Sequence, residues 1–85
     1  MNRFENKVAF VTGGGDGMGA ASVKRLAAEG ATVYAFDIDG DKANAIADEL
    51  QSKGHKVTGI QGSVTEVDQL EAAFERVDSE QGRLD

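Results

Sequence analysis

The sequence contains no cysteine and no proline among its 85 residues. Without cysteine it can form neither a disulfide framework nor a cysteine-based metal site. No apolar run approaches the ~20 residues that a membrane-spanning helix requires, and the first residues do not resemble a signal peptide. The absence of proline also excludes a proline-rich linker between domains. We therefore expect a soluble cytoplasmic protein with no membrane association.

Basic residues are scarce. The chain has nine lysines and arginines against 15 acidic residues, which gives a net charge of −6. An acidic chain without a basic stripe argues against nucleic-acid binding. The single histidine, His55, follows Gly54 in a predicted loop and has no cysteine or histidine partner. It is interpreted as a solvated loop residue, and no metal site is predicted.

The central feature is an apolar run, Val8 to Thr12, that leads directly into a glycine-rich segment at residues 13–19 and then into a helical pattern. A strand, tight turn and helix in this order place backbone N–H groups at the positive end of a helix dipole, where a phosphate can bind. Gly13 is expected to let the chain leave the strand. Gly17 is expected to admit a pyrophosphate, and Gly19 to let the helix pack closely on the strand.

A second apolar run, residues 32–36, ends in Asp37, close to the spacing expected for a carboxylate that binds a ribose. The alternative is a tight turn followed by a solvent-facing aspartate. Because strand, glycines, helix, strand and acid occur in the required order, we favour a dinucleotide site.

The periodicity predicts one domain over residues 1–85, of the α/β class, with the order βαβαβα. Predicted strands cover residues 7–12, 32–36 and 56–61, and the first helix covers residues 17–29. Alternating strands and helices imply a three-stranded parallel sheet in the order 3-2-1, half of a doubly wound (Rossmann) fold. The first two helices should cover one face of the sheet and the third helix the other.

Residues at the N-termini of the second and third helices carry capping signals. Asp39 or Asp41 is predicted to cap the second helix, and Thr65 the third. Four apolar residues of the third helix are expected to face inward: Val67, Leu70, Phe74 and Val77.

The segment Thr12-Gly13-x-x-x-Gly17-x-Gly19 resembles the TGxxxGxG signature of short-chain dehydrogenases/reductases. The segments 6–11 and 60–65 also resemble that family. The resemblance covers the whole chain but only the beginning of such an enzyme, so we expect a chain truncated before the fourth strand. It implies a role in hydride transfer between a nicotinamide cofactor and an alcohol or carbonyl substrate.

The predicted cofactor-binding residues lie in the glycine-rich turn and at the ends of the second and third strands: Gly13, Gly15, Asp16, Gly17, Met18, Asp37, Ile38, Ser63 and Val64. Met18 stands where the family usually has a branched aliphatic residue, and its main expected role is packing under the loop. Ser63 stands where the family usually has an aspartate that contacts adenine. It either accepts that hydrogen bond or begins the turn before Thr65, and both interpretations stay open.

The acidic residues near the expected ribose predict the choice of cofactor. A 2′-phosphate beside Asp37 would meet a like charge, which costs a few kcal/mol in a partly buried site. The positions where NADP-binding relatives place a basic residue hold Asp16, Ile38 and Asp39. NAD is therefore expected in preference to NADP.

No catalytic residue is predicted. The family uses a tyrosine four residues before a lysine, but the only tyrosine is Tyr34, and Ile38 stands four residues later. We expect the chain alone to be inactive. Two alternatives are a non-catalytic nucleotide-binding module and a structural piece that completes a sheet with another chain. The first strand, Val8 to Val11, would be an apolar edge that favours a homo-oligomer.

Overall fold

The computed structural model describes residues 7–15, 17–63 and 65–82. They form six alternating elements: β1 (Val8–Thr12), α1 (Gly17–Ala28), β2 (Thr32–Asp37), α2 (Gly40–Gln51), β3 (Val57–Gln61) and α3 (Val67–Gln81). The predicted order βαβαβα is confirmed, and the elements differ from the prediction only at their ends. Within the described ranges, no helix has the length and apolar character needed to cross a membrane.

The three strands form one parallel sheet in the order β1-β2-β3. This is the predicted order 3-2-1 counted from the opposite edge. β2 is central, and Val33 pairs with Ala9 on one side and with Val57 on the other. Since the strands are parallel, their carboxyl ends meet at one edge of the sheet. The glycine-rich turn, the connection to α2 and the connection to α3 all begin there.

The helices cover the two faces as predicted. Apolar residues of α1 and α2 pack with one side of β2 in a cluster that includes Val23, Val33 and Ile46. The other side of the sheet contributes Val8 and Tyr34, which pack against Val77 of α3. Side chains alternate along β2, so both its faces are buried, as expected for the central strand of a covered parallel sheet.

α2 approaches β3 closely at Gly59. A Cβ at this position would lie 2.7 Å from the carbonyl oxygen of Ala43 and 2.8 Å from Oδ1 of Asn44. The glycine interrupts the apolar pattern of the strand because the helix backbone occupies the space of a side chain. The start of α2 is thus held firmly over the sheet. Its N-cap is Asp39, which decides between the two predicted caps.

The start of α3 corrects two predictions. Its N-cap is Glu66, which makes no side-chain capping bond, so the predicted cap at Thr65 is wrong. The Thr65 hydroxyl instead forms a hydrogen bond of 2.8 Å with the hydroxyl of Ser63. Val67, predicted to face inward, is 63% exposed because it lies in the first turn, ahead of the stripe that packs on the sheet. Val77, further along the helix, is buried as predicted.

Phe74 is a mixed case. It is 40% exposed, although it was predicted to face inward. Its ring nevertheless contacts the ring of Phe10 on β1, with centroids 4.7 Å apart, and Phe10 contacts Phe36 at 5.3 Å. The three rings form a row on the α3 face of the sheet. Phe74 lies at the outer end of this row, which explains why it is only partly covered.

Candidate functional site

The glycine-rich turn adopts backbone conformations that only glycine takes without strain. Gly13 has φ +64° and Gly17 has φ +53°. A Cβ at either position would meet no atom of the chain within 4 Å. Here the left-handed conformation, rather than crowding inside the chain, requires glycine. The space above both residues is open, which suits the close approach of a ligand to the backbone.

Gly19 has the opposite role. A Cβ at Gly19 would lie 1.8 Å from the carbonyl oxygen of Gly13 and 3.1 Å from Cα of Gly14. The first turn of α1 therefore packs on the backbone of the turn that follows β1, and this contact requires a glycine at position 19. Gly14 is equally enclosed, since its Cβ would lie 2.9 Å from Cβ of Ala35 on β2. These two contacts fix the turn between α1 and the sheet.

Asp37, at the end of β2, is only 9% exposed. Its Oδ2 accepts a hydrogen bond of 3.0 Å from the N–H of Gly15, and its Oδ1 accepts one of 2.9 Å from the N–H of Asp39. The alternative of a solvent-facing aspartate is therefore wrong. The N–H of Gly15, predicted to hold a phosphate, is donated to this carboxylate instead. Each carboxylate oxygen keeps acceptor capacity for a further donor.

Gly15 also contacts α2. A Cβ at Gly15 would lie 2.7 Å from the backbone nitrogen of Ala43 and 2.8 Å from Cβ of Lys42. The turn, the end of β2 and the start of α2 thus form one closely packed block. The sequence indicated a role for glycine here only through phosphate binding, and the packing requirement depends on the tertiary fold.

A cleft of about 190 Å³ lies at the carboxyl ends of the three strands. It is called the strand-end cleft, and its lining residues are Gly13, Phe36, Asp37, Ile38, Gly62 and Ser63. The structure therefore brings together four of the residues predicted to bind the cofactor. Phe36 and Gly62 were missed. A Cβ at Gly62 would lie 2.5 Å from the Phe36 ring, so a glycine here leaves the space that the ring occupies. The only sequence signal for Gly62 was its position directly after a predicted strand.

Two predicted residues, Asp16 and Val64, lie outside the described residues. Met18 is 89% exposed, so the prediction that it packs under the loop is wrong. It is the second residue of α1, and its side chain points away from the buried stripe that contains Val23 and Ala27. The other residues of the predicted set surround the same edge of the sheet.

Ser63 forms a local turn. Its Oγ accepts a hydrogen bond of 3.2 Å from the N–H of Thr65 and lies 2.8 Å from the Thr65 hydroxyl. Its own N–H donates to Oε1 of Gln69 at 2.8 Å. The turn interpretation is therefore confirmed. A hydroxyl oxygen has two lone pairs, so this turn is compatible with one further hydrogen bond to a ligand in the strand-end cleft.

Tyr34 belongs to a network on the α3 face that the sequence did not indicate. Its hydroxyl donates to Oε1 of Glu80 at 2.6 Å and accepts from Nε2 of Gln81 at 3.1 Å. Arg76 donates to the other oxygen of Glu80 at 3.0 Å. Burial and then the bond to Glu80 raise the pKa of Tyr34. The bonds from Tyr34 and Arg76 lower the pKa of Glu80. The hydrogen bonds of the Tyr34 hydroxyl thus connect β2 with the last turn of α3.

The charges around the strand-end cleft are of one sign. A second cleft, of about 420 Å³, is called the cap cleft, and it is lined by Ile38, Asp39, Gly40, Asp41, Asn44 and Gln61. A third, of about 640 Å³, lies between Ile38 and the start of α3. Among the residues that the structure describes, no lysine or arginine lines any of these three clefts. In the described part of the chain, no group of three or more acidic or histidine side chains is placed to hold a metal ion.

Comparison with known proteins places this geometry in a family. The sequence model of the family described as short chain dehydrogenase matches residues 7–85. The chain is 35% identical over 85 residues to 7alpha-hydroxysteroid dehydrogenase of Bacteroides fragilis, covering all of this chain and 33% of that protein. It is 40% identical over 81 residues to 3-hydroxyacyl-CoA dehydrogenase type-2 of Drosophila melanogaster, covering 95% of this chain and 31% of that protein.

Solved structures show the same likeness. A hydroxysteroid dehydrogenase from Escherichia coli superposes with a TM-score of 0.93 at 32% identity, covering 98% of this chain and 35% of that chain. The chain thus spans about a third of the length of the relatives it matches. Because the family match extends over nearly all 85 residues and the fold agrees, the chain belongs to the short chain dehydrogenase family.

Proposed function

We propose that this chain binds the adenosine and pyrophosphate portions of NAD, as the cofactor-binding portion of an oxidoreductase. The observation that carries the proposal is the position of the Asp37 carboxylate. It lies in the strand-end cleft, is 9% exposed and is bonded to the N–H of Gly15 in the glycine-rich turn. A ligand with a ribose next to a pyrophosphate would meet a carboxylate and a helix N-terminus at adjacent places.

The residues present fit such a ligand. The remaining lone pairs of Asp37 can accept hydrogen bonds from two ribose hydroxyls, while Ser63 can accept one from an amino group. The positive end of the α1 dipole, at Gly17 and Met18, suits the pyrophosphate. The strand-end cleft of about 190 Å³ is smaller than the ~300 Å³ of small ligand sites, so it suits one part of a dinucleotide.

The charges favour NAD over NADP. A 2′-phosphate placed at Asp37 would lie beside a carboxylate, and no lysine or arginine of the described ranges lines the three clefts to compensate its charge. Two charges ~4 Å apart repel by ~1–4 kcal/mol for environments between bulk water and a protein surface. The expected discrimination is therefore about tenfold or more.

The proposed reaction is hydride transfer between NAD(H) and an alcohol or carbonyl substrate. The nicotinamide supplies that chemistry when bound, and the protein orients it. The two relatives named above are dehydrogenases whose names specify hydroxylated substrates, which supports this reaction class. Since the chain spans about a third of their length, the reaction is proposed for a protein of their full length, and these residues contribute cofactor binding.

Calorimetric titration of the 85-residue chain tests the proposal. NAD and adenosine diphosphate ribose should bind with similar affinity, because the part they share is the part held here. NADP should bind about tenfold more weakly. The variant Asp68→Asn, which removes an exposed charge on α3, should leave these affinities unchanged. Equal binding of NADP and NAD would contradict the role of Asp37. No binding of any nucleotide would favour a structural piece over a cofactor-binding portion.

A further inference from the structure

Two hydroxyl groups lie in the turn that follows β3. The hydroxyl oxygens of Ser63 and Thr65 are 2.8 Å apart, and either hydroxyl can be the donor of the hydrogen bond between them. The Oγ of Ser63 also accepts a bond of 3.2 Å from the N–H of Thr65. Because each hydroxyl has one proton and two lone pairs, this pair has two hydrogen-bonding arrangements.

The two arrangements differ in what Ser63 offers to a ligand. When Thr65 donates to Ser63, both lone pairs of the Ser63 oxygen are used and its proton is left to donate. When Ser63 donates to Thr65, that proton is used and one lone pair is left to accept. A carboxylate in the same place could only accept. The hydroxyl pair can therefore match a donor or an acceptor on the ligand.

This turn is held beside the residue proposed to bind the ribose. The N–H of Gly62 donates to the carbonyl oxygen of Asp37 at 2.9 Å, and the N–H of Ser63 donates to Oε1 of Gln69 at 2.8 Å. Ile38, Gly62 and Ser63 line both the strand-end cleft and the third cleft, of about 640 Å³. A base joined to a ribose at Asp37 would thus meet Ser63 where the two clefts adjoin.

The other polar side chains of the third cleft also combine donors with acceptors. Gln61 and Gln69 line it, and each has an amide group with an oxygen that accepts and a nitrogen that donates. Glu66 is the only charged residue among the described residues of its lining, and it is exposed. Since water competes for the hydrogen bonds of an exposed carboxylate, Glu66 is expected to contribute little to selection of a base.

We propose that this site accepts dinucleotides with a 6-oxopurine base as well as NAD, because the Ser63–Thr65 pair can donate to a carbonyl oxygen or accept from an amino group. The inference rests on the proposed function, since it concerns the base attached to a ribose held by Asp37. An amino group at position 6 of a purine is a donor, whereas a carbonyl oxygen there is an acceptor. Reversal of the one hydrogen bond between the two hydroxyls matches the turn to either base.

Calorimetry with NAD and with nicotinamide hypoxanthine dinucleotide tests this inference, because the two ligands differ only in the base. The readout is the ratio of their dissociation constants, which should be within about threefold of one for the wild type. In Ser63→Asp the hypoxanthine ligand should bind about tenfold or more weakly than NAD, since a carboxylate accepts from an amino group and repels a carbonyl oxygen. Both ligands carry the same net charge, so a general effect of the added charge cancels in the ratio.

The matched control is Ser79→Asp, which adds the same charge to α3 about 18 Å from its first residue, by a rise of ~1.5 Å per residue. It should leave the ratio at the wild-type value. Ser63→Ala should weaken both ligands by about three- to tenfold, since each loses one hydrogen bond. Circular dichroism verifies that each variant keeps its helices.

Three results would overturn the inference alone. The first is a wild-type chain that binds NAD tenfold or more tightly than the hypoxanthine ligand, whether or not Glu66→Gln abolishes that preference. The second is an unchanged ratio in Ser63→Asp, and the third is unchanged affinity for both ligands in Ser63→Ala, because Ser63 would then not contact the base. Absence of NAD binding in the wild type would overturn the proposed function and the inference together.

Discussion

Replacing Asp37 with alanine tests whether its carboxylate organises the glycine-rich turn before any cofactor binds. The carboxylate is 9% exposed and accepts one bond from Gly15 and one from Asp39. Hydrogen bonds to charged groups contribute ~1.5–3 kcal/mol each when buried. Because both hydrogen bonds are only partly buried, we take less than the sum of the two contributions and expect Asp37→Ala to lose about 2–4 kcal/mol of stability. The free energy of unfolding expected for a chain of this length is about 4–13 kcal/mol in total, so this loss is a large fraction of it.

Urea denaturation followed by circular dichroism measures this loss. With a slope of about 1–1.5 kcal/mol per molar urea, the midpoint should fall by about 2 M. The variant Asp37→Asn retains one acceptor oxygen and should lose about half as much. The Asp68→Asn variant removes a charge from the exposed surface of α3 and should stay within ~0.5 kcal/mol of the wild type.

Hydrogen exchange gives a local readout for the same variants. The amide of Gly15 should exchange faster in Asp37→Ala, since its acceptor is lost. NAD affinity should fall by tenfold or more, and NADP affinity should change less, because the variant also loses the repulsion. An Asp37→Ala protein with wild-type stability and an unchanged exchange rate at Gly15 would refute the claim that this carboxylate holds the turn.

Four further predictions concern packing, pH, association and activity. Gly19→Ala should destabilise the chain by more than ~3 kcal/mol in urea denaturation, because the alanine Cβ would lie 1.8 Å from the Gly13 carbonyl oxygen. If only helix propensity mattered, the same variant would be more stable than the wild type, and that result would contradict the prediction. Tyr34→Phe should cost about 1 kcal/mol near neutral pH. The difference in stability between Tyr34→Phe and the wild type should shrink in acid, as the pH falls through the lowered pKa of Glu80. It should also shrink in strong alkali, as the pH rises through the raised pKa of Tyr34. A difference in stability that does not depend on pH would contradict the role of this hydrogen bond. Sedimentation should show dimers formed through the Val8–Val11 edge, and monomers at high micromolar concentration would contradict this. The 85-residue chain should not reduce NAD with alcohols, and NAD reduction at a rate proportional to the protein concentration would contradict that expectation.

The fold could be predicted from sequence because its signals are local and periodic. The apolar runs that became β1, β2 and β3 are short and end at glycines or polar residues, while the helices show apolar stripes with glycine at their ends. The parallel sheet then follows from the alternation of strands and helices. The position of Asp37 at the end of β2 could also be predicted, since spacing along the chain fixes it.

The contacts of the site could not be predicted, because they join distant residues. The bond from Gly15 to Asp37 spans 22 positions, and that from Tyr34 to Glu80 spans 46. The same holds for Met18, whose 89% exposure depends on how α1 is rotated against the sheet. Periodicity indicates which stripe of a helix is apolar, but where the stripe begins depends on tertiary packing. This explains the error at Val67.

The most direct test of the central claim is to map nucleotide binding by NMR on the ¹⁵N-labelled chain during titration with NAD. The account predicts the largest amide shifts at residues 13–15, 17–18, 37–39 and 62–63, which surround the carboxyl ends of the strands. The network around Tyr34 and Glu80 on α3 should change little. Saturable shifts centred on α3, or on the loop around His55, would contradict the claim that the strand-end cleft is the cofactor site.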